Sequence, residues 1–330
     1  MSFDALNSLS RRSFLQSASV VGGSALLAGR SFAADGGTSP DLPRRVFGKT
    51  QQEVSALALG TWPCGRSSTV DVPAIVRMVK EALNLGINVI DTARAYGKAE
   101  EAIGLALGAQ REQVFLATKV WADTAEEAQQ SLEESLRLLK TDHVDLVYVH
   151  SIGDRDVEKV MSPQGSLGYL LQQKQQGKTR FVGISGHSRP AAFLPLLETQ
   201  QIDALLVAMN FVDRYTYGFE EKVLPIAVQQ NLGVTCMKVF GGMKGGFPAA
   251  DGPNTGPEVD AQHLQLAVRY ALGLPGVSTL VIGPHTVEQL RQNVAFVAGY
   301  QPLTADEARQ LNQLGRRLAT TWGPHYGPAS

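Results

Sequence analysis

The chain is predicted to be an α/β protein, a (β/α)8 TIM barrel, because strand-like and helix-like segments alternate eight times along its 330 residues. The strand-like segments are short, rich in Val, Ile, Leu and Ala, and lack strict alternation of apolar and polar residues, which is typical of strands buried on both faces. An open doubly wound sheet would alternate in the same way, but no Gly-x-Gly-x-x-Gly motif follows the first strand. The predicted strands begin near Ser55, Ile87, Val114, Val144, Arg180, Asp203, Val234 and Ser278.

Two further elements are predicted, one before and one after the barrel. Residues 44–54 are expected to form a small N-terminal β-hairpin that turns at Gly48-Lys49, and residues 305–319 are expected to form a C-terminal helix. The helices between the strands are amphipathic. In residues 124–140, for example, leucines recur at helical spacing beside Glu and Gln.

The first 34 residues are expected to lie outside the fold. Residues 10–16, Ser-Arg-Arg-Ser-Phe-Leu-Gln, are typical of a twin-arginine signal, and a weakly apolar stretch follows at 17–29. That stretch is too short, and too rich in Gly and Ser, to span a hydrocarbon layer of about 30 Å, so no stable membrane anchor is expected. The chain is therefore predicted to contain a cleaved signal at 1–34, a linker at 35–42 and the barrel at 43–330.

A twin-arginine signal implies a partner and a location. It is an address recognised by the twin-arginine export machinery, which resembles the route that bacteria use to export folded proteins, often loaded with a cofactor. The predicted location is the periplasm, and the predicted order of events is ligand capture in the cytoplasm followed by export.

Composition and charge exclude several classes of protein. The 31 acidic and 30 basic side chains nearly cancel and no basic cluster is present, which argues against a nucleic-acid partner. The two cysteines, Cys64 and Cys236, are far apart in sequence and are expected to be buried free thiols, with a disulfide as the alternative. No spacing of Cys or His typical of a metal site is present, so no metal is predicted.

Four polar residues carry the chemistry. Asp91, Lys119 and His150 end successive predicted strands, and Tyr96 lies on the loop after the first of them. In a barrel of parallel strands the C-terminal face is where catalytic residues assemble. Each residue alone has an ordinary structural explanation, as a cap, a surface lysine or a core histidine. Together they indicate a proton-transfer set.

A series of short motifs follows the predicted strands in order. They are Gly60-Thr61-Trp62, Ile90-Asp91-Thr92-Ala93, Tyr96-Gly97 with Glu100, Thr118-Lys119-Val120-Trp121, Asp145 to His150, Gly183-Ile184-Ser185, and Ile282-Gly283 with Gln289 and Asn293. No single motif is specific, but their order and the positions of the four polar residues are. On these motifs the chain resembles the aldo-keto reductase superfamily, over about Arg45 to Asn293.

The resemblance implies a hydride transfer between a nicotinamide and a carbonyl carbon, with Tyr96 as the general acid. A tyrosine pKa of about 10 is high for this task, and the resemblance implies that the Lys119 ammonium, held by Asp91, lowers it. His150 would orient and polarise the carbonyl.

The resemblance also assigns a substrate pocket and cofactor contacts. Trp62, Trp121 and His150 would line the pocket of a small carbonyl substrate, and Trp322 in the tail is a further candidate to close it. The implied cofactor contacts are Gly60, Thr61, Trp62, Ser185, Lys238, Phe240, Gly283, His285, Gln289 and Asn293.

Several positions depart from the family pattern and bear on the cofactor. Residues 185–187 read Ser-Gly-His where an Asn usually holds the nicotinamide carboxamide, and Leu206 stands where a Gln is common. Residues 284–286 read Pro-His-Thr, without the Arg or Lys that commonly binds the 2′-phosphate of NADPH. A helix N-terminus at that point still favours a phosphate. NADP(H) is therefore the expected cofactor and NAD(H) the alternative.

The long connection from Gly241 to Pro257 is rich in Gly and Pro. A loop of this length is usually functional or disordered, so it is interpreted either as a lid over the cofactor or as a surface insertion.

The leading hypothesis for function is an exported NAD(P)H-dependent reductase of aldehydes or ketones, or the reverse alcohol oxidation. The first alternative is a nicotinamide-binding redox sensor or interaction subunit with little turnover. A second alternative, a periplasmic solute-binding protein, requires two lobes and a hinge, which a single barrel does not provide.

Overall fold

A computed structural model describes residues 41–242 and 257–330, and within them eight parallel strands close into a barrel. The predicted (β/α)8 barrel with its N-terminal hairpin is confirmed. The hairpin strands are β1 (Arg44–Val46) and β2 (Glu53–Ser55), and the barrel strands are β3 (Leu57–Gly60), β4 (Val89–Asp91), β5 (Phe115–Val120), β6 (Val144–Val149), β7 (Thr179–Gly186), β8 (Ala204–Ala208), β9 (Gly233–Met237) and β10 (Val277–Ile282).

Helices connect the strands and surround the barrel. The α-helices are α1 (Trp62–Arg66), α2 (Val72–Asn84), α3 (Ala99–Leu107), α4 (Ala125–Leu139), α5 (Val157–Met161), α6 (Ser166–Gln175), α7 (Leu194–Glu198), α8 (Phe219–Lys222), α9 (Leu224–Gln229), α10 (Leu264–Leu272), α11 (Val287–Ala298) and α12 (Ala305–Trp322). Short 3-10 helices lie at Gly48–Thr50, Gly108–Gln113, Ile152–Asp154, Pro190–Phe193, Asp213–Tyr215 and Ala261–His263.

Local sequence signals explain most boundaries. The α4 helix begins after Thr124 because the Thr124 and Glu127 side chains form a capping box, and it ends before Lys140 in the left-handed region. The last helix is longer than predicted. It continues to Trp322, which is therefore the final helical residue and does not belong to the tail.

The hairpin closes the N-terminal end of the barrel. Phe47, which follows β1, is 1% exposed, and its ring centre lies 5.5 Å from that of Phe115 inside the barrel. A Cβ on Gly233 would lie 2.5 Å from the Phe47 ring, so only glycine fits there. The opposite end, where the strands terminate in polar residues, is the barrel mouth.

Several predictions fall outside the described residues. The signal at 1–34, most of the linker and residues 243–256 of the glycine-rich connection all lie there, so their predictions remain untested. Within the described ranges, no helix is long and apolar enough to cross a membrane. Cys64 and Cys236 are both buried and free.

Candidate active site

The four polar residues predicted from the strand ends meet at the barrel mouth. Asp91 ends β4, Lys119 is the penultimate residue of β5, His150 follows β6, and Tyr96 lies on the loop after β4. The Lys119 Nζ atom donates a hydrogen bond of 2.6 Å to Asp91 Oδ2 and lies 4.7 Å from the centre of the Tyr96 ring. The Tyr96 and His150 ring centres are 5.9 Å apart. The pattern in the sequence thus located one three-dimensional cluster.

Lys119 and Asp91 form a buried ion pair. Both are almost fully buried, and the ammonium donates a second hydrogen bond of 2.8 Å to the Thr92 carbonyl oxygen. Burial alone lowers the pKa of Lys119, but the charges of Asp91 and Tyr96 outweigh it, so the pKa of Lys119 is raised. Burial raises the pKa of Asp91, and the Lys119 charge opposes that shift. Lys119 therefore stays a cation in contact with the Tyr96 ring.

The pKa of the Tyr96 hydroxyl differs from the sequence expectation, which is a lowered value. Its pKa is raised, because burial outweighs the opposing effect of the Lys119 charge. Tyr96 is therefore protonated over a wide pH range, as a proton donor must be.

His150 is a neutral imidazole near neutral pH. Burial lowers its pKa well below the usual value, and the charges of Lys119, His187 and Arg155 lower it further. The ring lies edge-on to Trp121, with centres 5.2 Å apart, and Trp121 is 36% exposed. A neutral His150 can donate a hydrogen bond to a carbonyl oxygen beside the indole.

A buried carboxylate, Glu100, holds the loop that carries Tyr96. In the sequence this residue is visible only as part of the resemblance to the family. Glu100 is fully buried, forms an ion pair with Arg94 and accepts a 2.7 Å hydrogen bond from Thr118 Oγ1 on β5. Arg94 also donates to the Gly97 carbonyl oxygen, and Gly97 has a φ of 59°. These contacts tie the Tyr96 loop to the strand that carries Lys119.

Several residues that are predicted to contact the cofactor also make packing contacts or hydrogen bonds within the chain. A Cβ on Gly60 would lie 3.1 Å from the Gly283 nitrogen, so packing between the ends of β3 and β10 already requires a small residue at Gly60. Thr61 Oγ1 donates a 3.0 Å hydrogen bond to the Asp91 carbonyl oxygen. Ser185 Oγ accepts from the Ser151 backbone N–H and donates to the Val149 carbonyl oxygen, both at 3.4 Å.

Lys238 and Trp62 lie together across the mouth. The Lys238 Nζ atom is 5.5 Å from the Trp62 ring centre, and the indole Nε1 is buried with no hydrogen-bond partner among the described residues. Burial lowers the pKa of Lys238 to about 8. Its φ of 58° lies in the left-handed region, which costs energy for a non-glycine residue and is typical of functional sites. Phe240, two residues later, is buried.

The α11 helix and the turn before it offer further groups suited to a nucleotide. Asn293 is fully buried, and neither atom of its amide has a hydrogen-bond partner among the described residues. Buried amides are nearly always paired, so a ligand that satisfies Asn293 fits this position. Gln289 accepts a 2.8 Å hydrogen bond from the exposed His285 backbone N–H at the same helix start. The residues present therefore fit a dinucleotide that extends from the mouth to α11.

Comparisons with known proteins agree with this geometry. The Aldo/keto reductase family model matches residues 56–260, more than half of the chain. The chain belongs to the aldo/keto reductase family. The predicted enzyme class, an NAD(P)H-dependent aldo-keto reductase, is confirmed with it.

Three of its relatives illustrate the breadth of the match. L-galactose dehydrogenase of Arabidopsis thaliana is 28% identical over 294 residues, which cover 80% of this chain and 90% of the relative. A solved aldo-keto reductase from Pseudomonas aeruginosa is 28% identical with a TM-score of 0.63, covering 79% of this chain and 96% of that one. An aldo-keto reductase from Klebsiella pneumoniae, solved in complex with NADPH, shares the fold at 24% identity, with a TM-score of 0.64 and coverage of 82% and 94%.

This aldo-keto reductase also places its C-terminal tail at the mouth. The Tyr217 hydroxyl accepts a 2.6 Å hydrogen bond from the Tyr326 backbone N–H and donates one of 3.1 Å to the Gly327 carbonyl oxygen. The Tyr326 ring packs against the barrel interior and lies 5.6 Å from the His187 ring and 6.0 Å from Lys238 Nζ. The sequence carries no signal for these contacts, because no strand end or repeating pattern marks the residues of the tail.

Proposed function

We propose that this aldo-keto reductase reduces the carbonyl group of a small aldehyde or ketone with NADP(H), and that Tyr96 is the general acid. The observation that supports this most directly is the contact of the Tyr96 ring with the buried Lys119–Asp91 pair on one side and His150 on the other. The buried carboxylate of Asp91, 2.6 Å from Lys119, distinguishes this cluster from the group of Tyr326, Lys238 and His187 on the other side of the mouth.

The proposed mechanism assigns one task to each side chain. The nicotinamide, when bound, supplies a hydride to the carbonyl carbon. His150 donates a hydrogen bond that orients the carbonyl oxygen, and Tyr96 transfers its proton to that oxygen as negative charge develops there. Lys119 stabilises the tyrosinate that remains, and Asp91 holds Lys119 in place. In the reverse direction, the tyrosinate accepts the proton of the alcohol.

The choice of NADP(H) rests on the family and on the start of α11. The Klebsiella pneumoniae relative was solved with NADPH, and Asn293, Gln289 and the N-terminus of α11 are suited to the nucleotide end of such a cofactor. Residues 284–286 carry no Arg or Lys to bind a 2′-phosphate, so NAD(H) is the alternative cofactor.

The proposed location is the periplasm, reached through the twin-arginine export machinery. The support is the Ser-Arg-Arg-Ser-Phe-Leu-Gln segment at 10–16 and the short apolar stretch that follows it. Fractionation of cells that express the full chain checks this, and protein found only in the cytoplasm would exclude the location.

The decisive experiment compares the wild-type protein with Tyr96→Phe. Binding of NADPH and NADH is measured by quenching of tryptophan fluorescence, and turnover of a neutral aldehyde by consumption of the reduced cofactor. We expect unchanged cofactor binding and a kcat lower by about 10²- to 10⁴-fold in the variant, which is the usual contribution of a general acid. Equal turnover in both proteins would exclude Tyr96 as the acid. Binding without turnover in either protein would favour the redox-sensor alternative.

A further inference from the structure

Arg155 lies at the substrate side of the barrel mouth. It follows the short helix Ile152–Asp154 on the loop that begins at His150. Its guanidinium carbon lies 4.4 Å from the centre of the Trp121 ring, and that ring in turn contacts His150 at 5.2 Å. The Trp121 ring therefore contacts both Arg155 and His150.

The guanidinium of Arg155 is mostly buried and only partly paired. Its side chain is 11% exposed, and the Nε atom is buried with no hydrogen-bond partner among the described residues. Asp123 Oδ1 lies 3.5 Å from one terminal nitrogen, which is an ion pair without a hydrogen bond. A buried N–H donor in this state is suited to an acceptor from outside the chain.

We propose that Arg155 binds a carboxylate at the end of the substrate remote from its carbonyl, so that the substrate class is an aldehyde or ketone acid. This inference rests on the proposed function, since it assigns the second anchor of the same substrate. A carboxylate matches the planar guanidinium with two parallel hydrogen bonds. The Trp121 ring contacts both anchors and is 36% exposed, so it can also contact the substrate.

The surrounding charges favour a monoanionic group over a phosphate. Two carboxylates face Arg155: Asp123 and Glu127, of which Glu127 accepts backbone hydrogen bonds at the start of α4. Their negative charge repels a dianion more strongly than a carboxylate. The positive charge of Arg155 is also felt at the active centre, because it contributes to the lowered pKa of His150.

The test compares 4-carboxybenzaldehyde with its neutral methyl ester, methyl 4-formylbenzoate, in steady-state reduction by NADPH. For the wild-type protein we expect kcat/KM to be at least roughly tenfold higher for the acid, since a single charge-assisted hydrogen bond contributes about that much. Arg155→Met should abolish that preference through a higher KM for the acid and should change the kinetics of the ester far less. Arg155→Lys should retain part of the preference, and Asp123→Asn should increase it.

Arg137→Met is the matched control, because Arg137 is exposed on α4 and pairs only with Glu134. It removes the same charge and should leave the preference intact. Equal losses for both aldehydes in Arg155→Met would overturn the inference and leave Arg155 as a support for Trp121. An absent preference in the wild-type protein, with the ester reduced, would also overturn the inference while the proposed function stands. If neither aldehyde is reduced, the proposed function and the inference about Arg155 both fail.

Discussion

The two halves of the barrel mouth are built in different ways. On the β4–β6 side, Asp91, Lys119 and His150 stand at strand ends and Tyr96 lies on the loop after β4. The buried Lys119–Asp91 pair joins β4 to β5. On the β7–β10 side, the side chains come from loops and from the tail, and they contact each other through rings and backbone groups, as at Lys238 and Tyr326. In the first half Lys119 and Asp91 satisfy each other within the chain, whereas both amide atoms of Asn293 in the second half have no partner among the described residues.

The two sides of the barrel mouth also differ in how closely they follow the family pattern. On the strand-end side, the four polar residues expected from the family resemblance lie together. On the other side, His187 stands where the resemblance leads us to expect an amide, and Tyr326 from the tail packs beside it. Residues at strand ends are positioned by the barrel, whereas residues on loops and in the tail depend on contacts between distant segments.

The largest effect on stability is expected from Lys119→Met. This change leaves the buried Asp91 carboxylate without its partner, which costs about 3–5 kcal/mol of unfolding free energy. The measurement is urea denaturation followed by circular dichroism. Replacing both residues, as in Asp91→Leu with Lys119→Met, should recover part of the loss.

Lys80→Met on α2 is the matched control, because Lys80 is exposed, and it should change the unfolding free energy by less than about 0.5 kcal/mol. If Lys119→Met changed the unfolding free energy as little as Lys80→Met, the ion pair would not stabilise the β4–β6 side of the mouth.

A smaller effect is expected from Tyr217→Phe on the opposite half. The variant keeps the buried ring but removes the hydroxyl that joins Tyr326 and Gly327, so the cost is about 1–3 kcal/mol. The tail should also become susceptible to carboxypeptidase, which mass spectrometry detects. Tyr215→Phe is the control, since its hydroxyl bonds only to Asn312 at the surface. A tail that stays resistant would show that packing of the Tyr326 ring, and not the hydroxyl of Tyr217, holds it.

The smallest effect concerns the pH dependence of alcohol oxidation. Its kcat/KM should change tenfold, about 1.4 kcal/mol, per pH unit. Because burial raises the pKa of Tyr96, the hydroxyl stays protonated from neutral pH to beyond 10. Carbonyl reduction should therefore be independent of this group through neutral pH, whereas alcohol oxidation, which needs the tyrosinate, should rise tenfold per unit. Profiles of kcat/KM in both directions measure this. A reduction rate that falls with an apparent pKa well below 10 would show that Lys119 outweighs burial once ligands are bound.

The fold was predictable because strands buried on both faces leave a simple signal, and their starts lie within two residues of the observed ones. The last helix was placed too short, since Trp322 continues an amphipathic pattern into a stretch that looks like a tail. The direction of the Tyr96 pKa was not predictable either. It depends on how far burial outweighs one ammonium, and sequence alone does not give burial.

The sequence by itself determined the barrel and the four polar residues at its mouth, because strand periodicity and parallel topology bring strand ends to one face. Only the tertiary structure decided which residues from elsewhere join them. Arg155 reaches Trp121 through a short helix, and Tyr326 returns to the mouth through two hydrogen bonds from Tyr217. Contacts between loops and tails depend on packing across long sequence separations, which no local pattern records.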